Sequence, residues 1–327
     1  MKTQRLQASL DADVSNAADI LLSGGLVAVP TETVYGLGAD ASNEDAVRRI
    51  FEVKGRPTNH PLIVHVADYE AATRVSGKWT VVAEILGRTF WPGPLSILTE
   101  KSSRVPDVVT GSRDTVVVRV PDHPATRELL RILHERGSIG LAAPSANKFG
   151  AVSPTSARHV IDDLGDSIEA ILDGGPCRVG LESTIVDCRT DVPIILREGG
   201  VTTEAIAREL AQHGLVVRPS AHSVGTNDPL RAVAPGMLES HYAPRASVEV
   251  FETALDLAER EAELVSRGVT HARLAATGDL VEYSRSLYSS LRACDAKGVD
   301  VILAVLPPPT GLGAAIRDRL CKAAAAR

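Results

Sequence analysis

The stretch VPTETVYGLGAD, residues 29–40, ends an apolar run and places two threonines, a glutamate and two glycines directly after it. If the chain stays extended there, Thr31 and Thr33 point to one side and Glu32 to the other, so two hydroxyls face one space. The glycines allow a close approach of the backbone to a ligand, or positive φ in a turn. The stretch is therefore a turn or a binding loop that follows a strand.

Apolar β-rich runs alternate with amphipathic segments on both sides of this stretch. The expected strands are 26–30, 61–66, 95–100 and 115–121, followed by STIVDC and PIILRE, and the expected helices include 43–54, 123–137 and 155–165. This alternation is typical of an α/β protein. Because strands and helices are not evenly interleaved, we expect a large twisted sheet of mixed strand directions with flanking helices.

The composition changes in the last third of the chain. Residues 216–247 are rich in Pro, Ser, Gly and Asn and lack either hydrophobic period, which indicates a linker. Such length, together with the His, Tyr, Met and Arg that the segment carries, favours a functional linker over a plain tether. Beyond it, VEVF, ARLAAT and VILAVLP alternate with three helical segments. We therefore expect a catalytic domain at 1–213, a linker or lid at 214–247 and a small α/β domain at 248–327.

Bulk properties exclude several function classes. The formal charge is 35 minus 41, or -6, and aromatic residues make up 3%, which argues against a broad nucleic-acid surface. The N-terminus has no apolar core of signal-peptide length and no run approaches a membrane span, so we expect a cytoplasmic protein. The four cysteines show no zinc spacing and are interpreted as buried small hydrophobes, with neither a metal nor a disulfide indicated.

Two cations follow one of the expected helices. Asn43 has the character of an N-cap, and the helix ends at Lys54 and Gly55. Cations at a helix C-terminus commonly do no more than complement the helix dipole. Arg56, however, lies outside the helix, before a proline and just ahead of the strand that carries His65. These residues are candidates for binding an anion, although a lone strand histidine is more often structural.

A third cluster lies in APSANKFGAVSPTSARHV, where a strand runs into a polar loop. Ser145 and Asn147 are two apart, face the same way in an extended chain and offer donors that suit phosphate oxygens. Ser153 and Pro154 have the pattern of an N-cap followed by proline at the first helical position. Helix starts bind anions readily, yet capping alone also accounts for Ser153.

Two arginines and a serine sit on or beside other strands. Arg119 is flanked by valines and needs a partner, because burial of an unpaired guanidinium is costly. That partner is a structural acid or a ligand carboxylate. Ser183 and Arg197 accompany the STIVDC and PIILRE strands. A Gly-x-Gly at 311–313 starts the last helix and is a weak phosphate signal.

The motifs PTETVYGLGAD, KGRPTNHPLIVHV, WPGPLSILT, VVVRVPDHP, APSAN, GLESTIVD, ILREGG and PGMLESHYAP resemble the YrdC-like threonylcarbamoyl-AMP synthase family in its two-domain form. The resemblance spans nearly the whole chain in order. It implies a YrdC-like domain followed by a small Rossmann-like domain. It further implies that L-threonine, bicarbonate and ATP become threonylcarbamoyl-AMP and pyrophosphate, and that a separate transferase complex modifies tRNAs reading ANN codons.

The resemblance also implies roles for individual residues. Threonine contacts are expected from Thr33, His65, Arg119, Ala143 and Ser183, and ATP contacts from Lys54, Arg56, His60, Thr115, Ser145, Asn147, Ser153, Arg197, His241 and Tyr242. Lys54 and Arg56 are expected to act in catalysis by stabilising charge on the phosphates. His60 stands where many members have Asn. Mg²⁺ is expected to arrive with ATP rather than on protein side chains, and linker residues 234–244 are expected to close over the nucleotide.

Two other functions compete with this interpretation. A double-stranded RNA or tRNA binding module of the same fold would use a concave positive surface, against which the acidic balance and the few aromatics argue. A carbamoyltransferase of the hydrogenase-maturation type shares the Lys-x-Arg and Ser-x-Asn signatures. That architecture needs zinc-finger cysteine pairs, and the spacing of the four cysteines provides none.

Overall fold

The computed structural model describes residues 2–218, 234–236, 242–275 and 278–325. Its strands are β1 (Gln4–Gln7), β2 (Val27–Val29), β3 (Gly36–Asp40), β4 (Ile63–His65), β5 (Ser76–Lys78), β6 (Leu95–Lys101), β7 (Thr115–Arg119), β8 (Leu141–Ala142), β9 (Ala170–Asp173), β10 (Thr184–Asp187), β11 (Ile194–Arg197), β12 (Ser247–Phe251), β13 (His271–Arg273) and β14 (Val301–Val305). Its helices are α1 (Asp11–Leu22), α2 (Glu44–Lys54), α3 (Tyr69–Val75), α4 (Val81–Phe90), α5 (Asp107–Thr110), α6 (Pro124–Glu135), α7 (Ala157–Leu164), α8 (Thr203–Gln212), α9 (Ala254–Ser266), α10 (Leu280–Ala296) and α11 (Leu312–Ala324), with a 3₁₀ turn at Gly165–Ser167.

Within the described residues, eleven strands form one large sheet in the order β1-β9-β2-β3-β8-β4-β7-β6-β10-β11, with β5 on β6. Strand directions are mixed: β4 and β7 are parallel, as are β6 and β10, whereas β2 and β3 are antiparallel. Apolar side chains of the sheet and of α2, α4 and α8 share one core. The expected mixed sheet with flanking helices is confirmed.

Strand β3 was not expected. Its sequence is GLGAD, and the two glycines had suggested a turn or a ligand approach. A Cβ on Gly38 would lie 2.7 Å from the Leu141 side chain on neighbouring β8, so this glycine provides close strand packing rather than positive φ. Gly36 pairs with Val29 of β2. The part of the opening stretch that lines the cavity described below therefore ends at Gly36, the first residue of β3.

The helix boundaries confirm one expectation and correct another. Asn43 caps α2 by accepting a hydrogen bond from the Ala46 amide at 3.1 Å, and Gly55 closes the helix in the left-handed region. The expected start of α7 at Ser153 was wrong. Ser156 caps this helix three residues later, since its hydroxyl accepts from the His159 amide. Ser153 is thereby left available for a contact elsewhere.

The C-terminal residues form a small parallel sheet, β12-β14-β13, with α9, α10 and α11 around it. Its α10 packs on the large unit, because Leu287 and Tyr288 share an apolar cluster with Val34, Val152 and Leu181. The interface also contains an ion pair between Arg292 and Asp163 at 2.5 Å. The two units thus join through a buried apolar interface with charged groups inside it.

Two further predictions concern membrane-spanning segments and the burial of the cysteines. Among the described residues, none of the helices has the length and apolarity to cross a membrane. Cys177, Cys188 and Cys294 are buried free thiols as expected, whereas Cys321 is exposed. The interpretation of that last cysteine as a buried hydrophobe was wrong, because it lies on the outer face of α11.

Candidate active site

A cavity with about 670 Å³ of empty volume lies where the polar loops after several strands of the large sheet meet the linker. The sequence-predicted residues that line it are Thr33, Lys54, Arg56, His65, Arg119, Ala143, Ser145, Asn147, Ser183, Arg197 and Tyr242. Residues as distant in sequence as Thr33 and Tyr242 thus meet at one place. Side chains selected from separate motifs therefore share a single cavity.

The turn after β2 presents the two threonines. The Thr31 hydroxyl accepts from the amides of Thr33 and Val34 at 3.1 and 3.2 Å, so the chain turns here instead of continuing extended. The two threonine hydroxyl oxygens lie 2.7 Å apart and are buried. Their position on one side was therefore predicted correctly, although a serine/threonine-type turn produces it rather than a strand.

Arg119 ends β7, and the partner that its burial requires is a structural acid. One terminal nitrogen lies 2.5 Å from Glu32 Oε1, and the other donates to the Thr33 hydroxyl at 3.0 Å. Its Nε donates to the Gly93 carbonyl at 3.1 Å. Each terminal nitrogen has one such acceptor among the described residues and carries two hydrogens, so one N–H on each remains for a ligand. Glu32 orients the guanidinium and leaves it able to bind a carboxylate.

His65 is the register partner of Arg119 on the parallel strand β4. Burial, and secondarily the Arg119 charge, lower the pKa of His65 to about 3, so the imidazole is neutral at physiological pH. Its Nδ1 is buried without a hydrogen-bond partner in the described structure. A neutral ring with an unused nitrogen beside a cation suits recognition of a small polar ligand.

Lys54 projects from the end of α2 into the cavity and is buried. Its ammonium donates to the carbonyl of Ser145 at 2.5 Å and to that of Asn147. No carboxylate pairs with it among the described residues. Burial, and then the Arg56 charge, lower the pKa of Lys54 well below its ordinary value. A bound anion would reverse this effect, because it favours the charged ammonium.

Arg56 is a second buried cation without an acidic partner in the described chain. Its Nη2 donates to the Pro61 carbonyl at 3.1 Å, and its Nε has no partner there. The guanidinium stands 5.8 Å from the centre of the Phe149 ring. Burial lowers the pKa of Arg56 to about 10, which still leaves it cationic at neutral pH. An anion bound in the cavity would give Arg56 the negatively charged partner that it lacks among the described residues.

Asn147 differs in one respect from its expected role. Its side-chain amide donates to the carbonyls of Lys148 and Ala151, both at 2.8 Å, which uses the donors that were predicted to meet phosphate. Its Oδ1 is buried without a partner in the described structure. The side chain therefore presents an acceptor to the cavity, whereas Ser145 beside it presents a hydroxyl.

Arg197 links the large sheet to the linker. It donates to the Ser183 carbonyl at 2.8 Å and to the Ser183 hydroxyl at 3.0 Å, and its other terminal nitrogen donates to the Pro235 carbonyl at 3.1 Å. Burial lowers the pKa of Arg197. Pro235, Gly236 and Tyr242 all line the cavity. The described part of the expected lid thus lies against the site.

Three sequence-predicted ATP residues, His60, Thr115 and Ser153, do not line the cavity, and a fourth lies outside the described residues. His60 lies behind it, with its ring 5.5 Å from that of Phe149. Thr115 begins β7 whereas Arg119 ends it, about 13 Å away along an extended strand. Ser153 reaches the cavity indirectly, through a 2.6 Å hydrogen bond to Glu182. His241, and Met237 of the expected lid, lie outside the described residues. The contacts of all four with ATP stay predictions.

Sequence reasoning missed Glu182, a buried carboxylate in the cavity wall. It accepts hydrogen bonds from Ser153, Tyr288 and Arg319 at 2.6, 2.7 and 2.8 Å. Burial opposes its charge, but the charges of Arg319 and Arg197 and the hydrogen bonds from Ser153 and Arg319 outweigh it and hold the pKa of Glu182 at about 2. Its position between Leu181 and Ser183 in GLESTIVD was the available signal, since an acid beside apolar residues needs a partner.

The described residues of the cavity wall also bear on whether side chains could hold a metal ion. Among the described residues, no group of three or more His, Cys, Asp or Glu side chains is arranged to hold an ion. The two carboxylates near the cavity, Glu32 and Glu182, are both occupied by arginines.

Comparison with known families matches both units of the chain. The Sua5_yciO_yrdC model, described as telomere recombination, matches residues 19–199, and the threonylcarbamoyl-AMP synthase C-terminal domain matches residues 201–325. The threonylcarbamoyl-AMP synthase of Pyrococcus abyssi is 42% identical over 327 residues, which cover 95% of this chain and 94% of that protein. The Bacillus subtilis enzyme of the same name is 38% identical and covers 97% and 94%.

Solved structures agree with these sequence matches. The crystal structure of Pyrococcus abyssi Sua5 complexed with L-threonine has a TM-score of 0.89 and 39% sequence identity, and the match covers 99% of this chain and 98% of that one. The Escherichia coli YciO structure, 22% identical with a TM-score of 0.51, covers 61% of this chain and supports the fold of the large unit alone. The chain belongs to the two-domain, Sua5-type threonylcarbamoyl-AMP synthase family.

Proposed function

We propose that this protein is an L-threonylcarbamoyladenylate synthase, a nucleotidyltransferase that converts L-threonine, bicarbonate and ATP into threonylcarbamoyl-AMP and pyrophosphate. The amine of threonine and bicarbonate give a carbamate with loss of water. A carbamate oxygen then attacks the α-phosphorus of ATP, and the bond from that phosphorus to the pyrophosphate oxygen breaks. The adenylate is the substrate for a separate transferase complex that acts on tRNA.

One observation carries the proposal: a single cavity combines a group suited to an amino acid with cations suited to a polyphosphate. Arg119 donates a hydrogen bond to the Thr33 hydroxyl and is the register partner of His65 on the neighbouring strand. Lys54 and Arg56 project from other segments of the chain and have no acidic partner among the described residues. Burial of uncompensated cations destabilises the free protein, so their presence is explained by an anionic ligand.

The amino-acid group supplies recognition without strong acid–base chemistry. The free N–H groups of Arg119 suit the threonine carboxylate, and the Thr33 hydroxyl is within reach of the same ligand. The carbamate oxygen is already negative when it attacks phosphorus, so the reaction needs no strong general base. Neutral His65 agrees with this requirement, because it binds by hydrogen bonding rather than by charge.

The phosphate group supplies electrostatic stabilisation. Negative charge shifts onto the leaving pyrophosphate as its bond to the α-phosphorus breaks, and positioned cations in a water-poor cavity stabilise such charge. Lys54 and Arg56 are buried and in place before ATP arrives. Mg²⁺ would enter as the ATP complex and neutralise part of the phosphate charge, with Ser145 and Asn147 facing the nucleotide.

The linker completes the enclosure. Pro235, Gly236 and Tyr242 of the linker line the cavity, which supports a role of these residues in covering a bound nucleotide. Closure matters because a carbamate and an acyl phosphate anhydride both decompose in water. The enclosure therefore protects the intermediate and the product until release.

The test is pyrophosphate release with each substrate omitted in turn. The proposal predicts release that requires ATP, threonine and bicarbonate together, with the product eluting as an adenylate rather than as free AMP. Equal release from ATP alone would identify a simple pyrophosphohydrolase. Arg119→Met should abolish pyrophosphate release at ordinary threonine concentrations, whereas Arg136→Met, which removes an exposed arginine paired with Asp19 far from the cavity, should behave like the unaltered protein.

A further inference from the structure

The carboxylate of Glu182 in the cavity wall is held by residues of the small unit. Tyr288 of α10 donates to its Oε2 at 2.7 Å, and Arg319 of α11 donates to the same oxygen at 2.8 Å. The large unit supplies only the Ser153 hydroxyl, which donates to Oε1 at 2.6 Å. Two of the three described donors thus cross the interface between the two units.

Arg319 is fully buried, and each of its nitrogens has an acceptor. Besides Glu182, it donates to the Glu198 carbonyl at 2.9 Å and to Asp318. Its guanidinium also stands 5.0 Å from the centre of the Tyr242 ring in the linker. Buried ion pairs contribute little to stability compared with well-packed apolar residues, so stability alone does not explain the buried pair of Arg319 and Glu182.

The charges of the cavity provide another explanation. Lys54, Arg56 and Arg197 line it as cations, and Glu182 is the carboxylate among its lining residues in the described chain. An uncompensated carboxylate in a water-poor wall would repel the phosphates of a nucleotide. Arg319 cancels that charge from behind the wall and lines no part of the cavity itself.

We propose that Arg319, supported by Tyr288, is a positioning residue of the nucleotide site that acts through Glu182. It neutralises and orients this carboxylate so that the cavity remains cationic toward ATP, and through Tyr242 it sets the linker against the same wall. The inference rests on the proposed use of ATP and assigns the small unit a part in binding it. The last helix of the chain then belongs functionally to the active site.

Neighbouring contacts agree with this assignment. Lys322, one turn along α11, donates to the Gly236 carbonyl at 2.7 Å, and Asp318 bridges Lys322 and Arg319. The Tyr242 and Tyr288 rings stack at 5.8 Å. One face of α11 therefore contacts both the carboxylate behind the cavity and the linker that covers it.

The experiment measures equilibrium binding of a non-hydrolysable ATP analogue to Arg319→Met, Glu182→Gln and the double variant. Arg319→Met should raise the Kd by roughly 10-fold or more, because it leaves Glu182 buried and unpaired. The double variant removes both charges and should recover to within about 3-fold of the unaltered protein. A double variant that binds no better than Arg319→Met overturns the inference, since a purely structural loss would not be rescued.

Two matched variants separate the proposal from general destabilisation. Arg317→Met removes an arginine of the same helix that pairs with Glu252, and Tyr283→Phe removes a buried hydroxyl of α10 without a partner in the described structure. Both should leave the Kd unchanged, whereas Tyr288→Phe should raise it. If Arg319→Met does not fold, Tyr288→Phe and the charge-retaining Arg319→Lys decide: the first should weaken binding more than the second, and the reverse order overturns the inference.

The pH dependence gives an independent readout. The groups that face Glu182 are Arg319, Arg197, Tyr288 and Ser153. Loss of Arg319 raises the pKa of Glu182, so the binding defect should be largest at high pH and shrink as acid protonates the carboxylate. A defect independent of pH contradicts the mechanism. Absence of ATP binding by the unaltered protein overturns the inference, whereas binding without adenylate formation overturns only the proposed function.

Discussion

Replacement of Arg56 by methionine should separate activity from stability. Burial lowers the pKa of Arg56 to about 10, a shift that corresponds to roughly 3 kcal/mol of unfavourable charge burial in the free protein. Methionine fills similar volume and keeps a contact with Phe149, but it loses one hydrogen bond to the Pro61 carbonyl, worth about 1 kcal/mol. The free energy of unfolding should therefore stay the same or rise.

Activity should respond in the opposite direction. A charge-assisted hydrogen bond to phosphate contributes about 1.5 to 3 kcal/mol, so kcat/KM for ATP should fall by roughly 10- to 150-fold. Urea unfolding and initial-rate pyrophosphate assays on the same preparations give both values. Arg48→Met, which removes an exposed arginine of the same helix paired with Glu44, is the control. A large loss of stability in Arg56→Met with unchanged kcat/KM would refute the assignment of this cation to the ligand.

Four further outcomes follow from the site. Arg119→Lys should raise the KM for threonine by roughly 10-fold and leave that for ATP nearly unchanged, because a lysine loses the planar fork that suits a carboxylate; parallel changes in both constants would count against this. Serine should be used with a kcat/KM about 10- to 200-fold lower than threonine, measured by competition, since one methyl group separates them. Protease should cut within residues 214–247 more slowly once ATP and threonine are present. Glu182 has a pKa of about 2 against 4.5 for its ordinary value, so its stabilisation, roughly 3 kcal/mol, is complete above pH 4.5 and is lost as the pH falls through 2; Glu182→Gln should flatten that part of the unfolding free-energy profile.

Much of the fold was readable from local patterns, and its exceptions have physical causes. The boundaries of helix α2 could be predicted from its sequence, because Asn43 at its start and Gly55 at its end satisfy backbone groups locally. Strand β3 was missed because glycine weakens every local strand signal, and only tight packing against Leu141 of β8 explains it. The start of α7 was misplaced because Ser153 and Ser156 both have the sequence pattern of a helix cap. In the structure Ser156 caps the helix, whereas the Ser153 hydroxyl donates to Glu182.

The residues of the site likewise fall into those that local sequence identified and those that only the folded structure revealed. Arg119 was selected from its apolar surroundings alone, although sequence left open whether an acid or a ligand would pair with it; Glu32 proves to be the acid. Glu182 and Arg319 lie 137 residues apart, on different units. No periodicity or spacing relates two such positions, so their pairing becomes visible only when the chain is folded.

The most direct test of the account uses ¹³C-labelled bicarbonate with ATP and threonine, followed by mass spectrometry of the nucleotide products at early times. The account predicts a threonylcarbamoyl adenylate that carries the label in its carbamate carbon, together with one pyrophosphate per adenylate. Formation of an unlabelled threonyl adenylate, or of AMP and pyrophosphate without a labelled adduct, would contradict it.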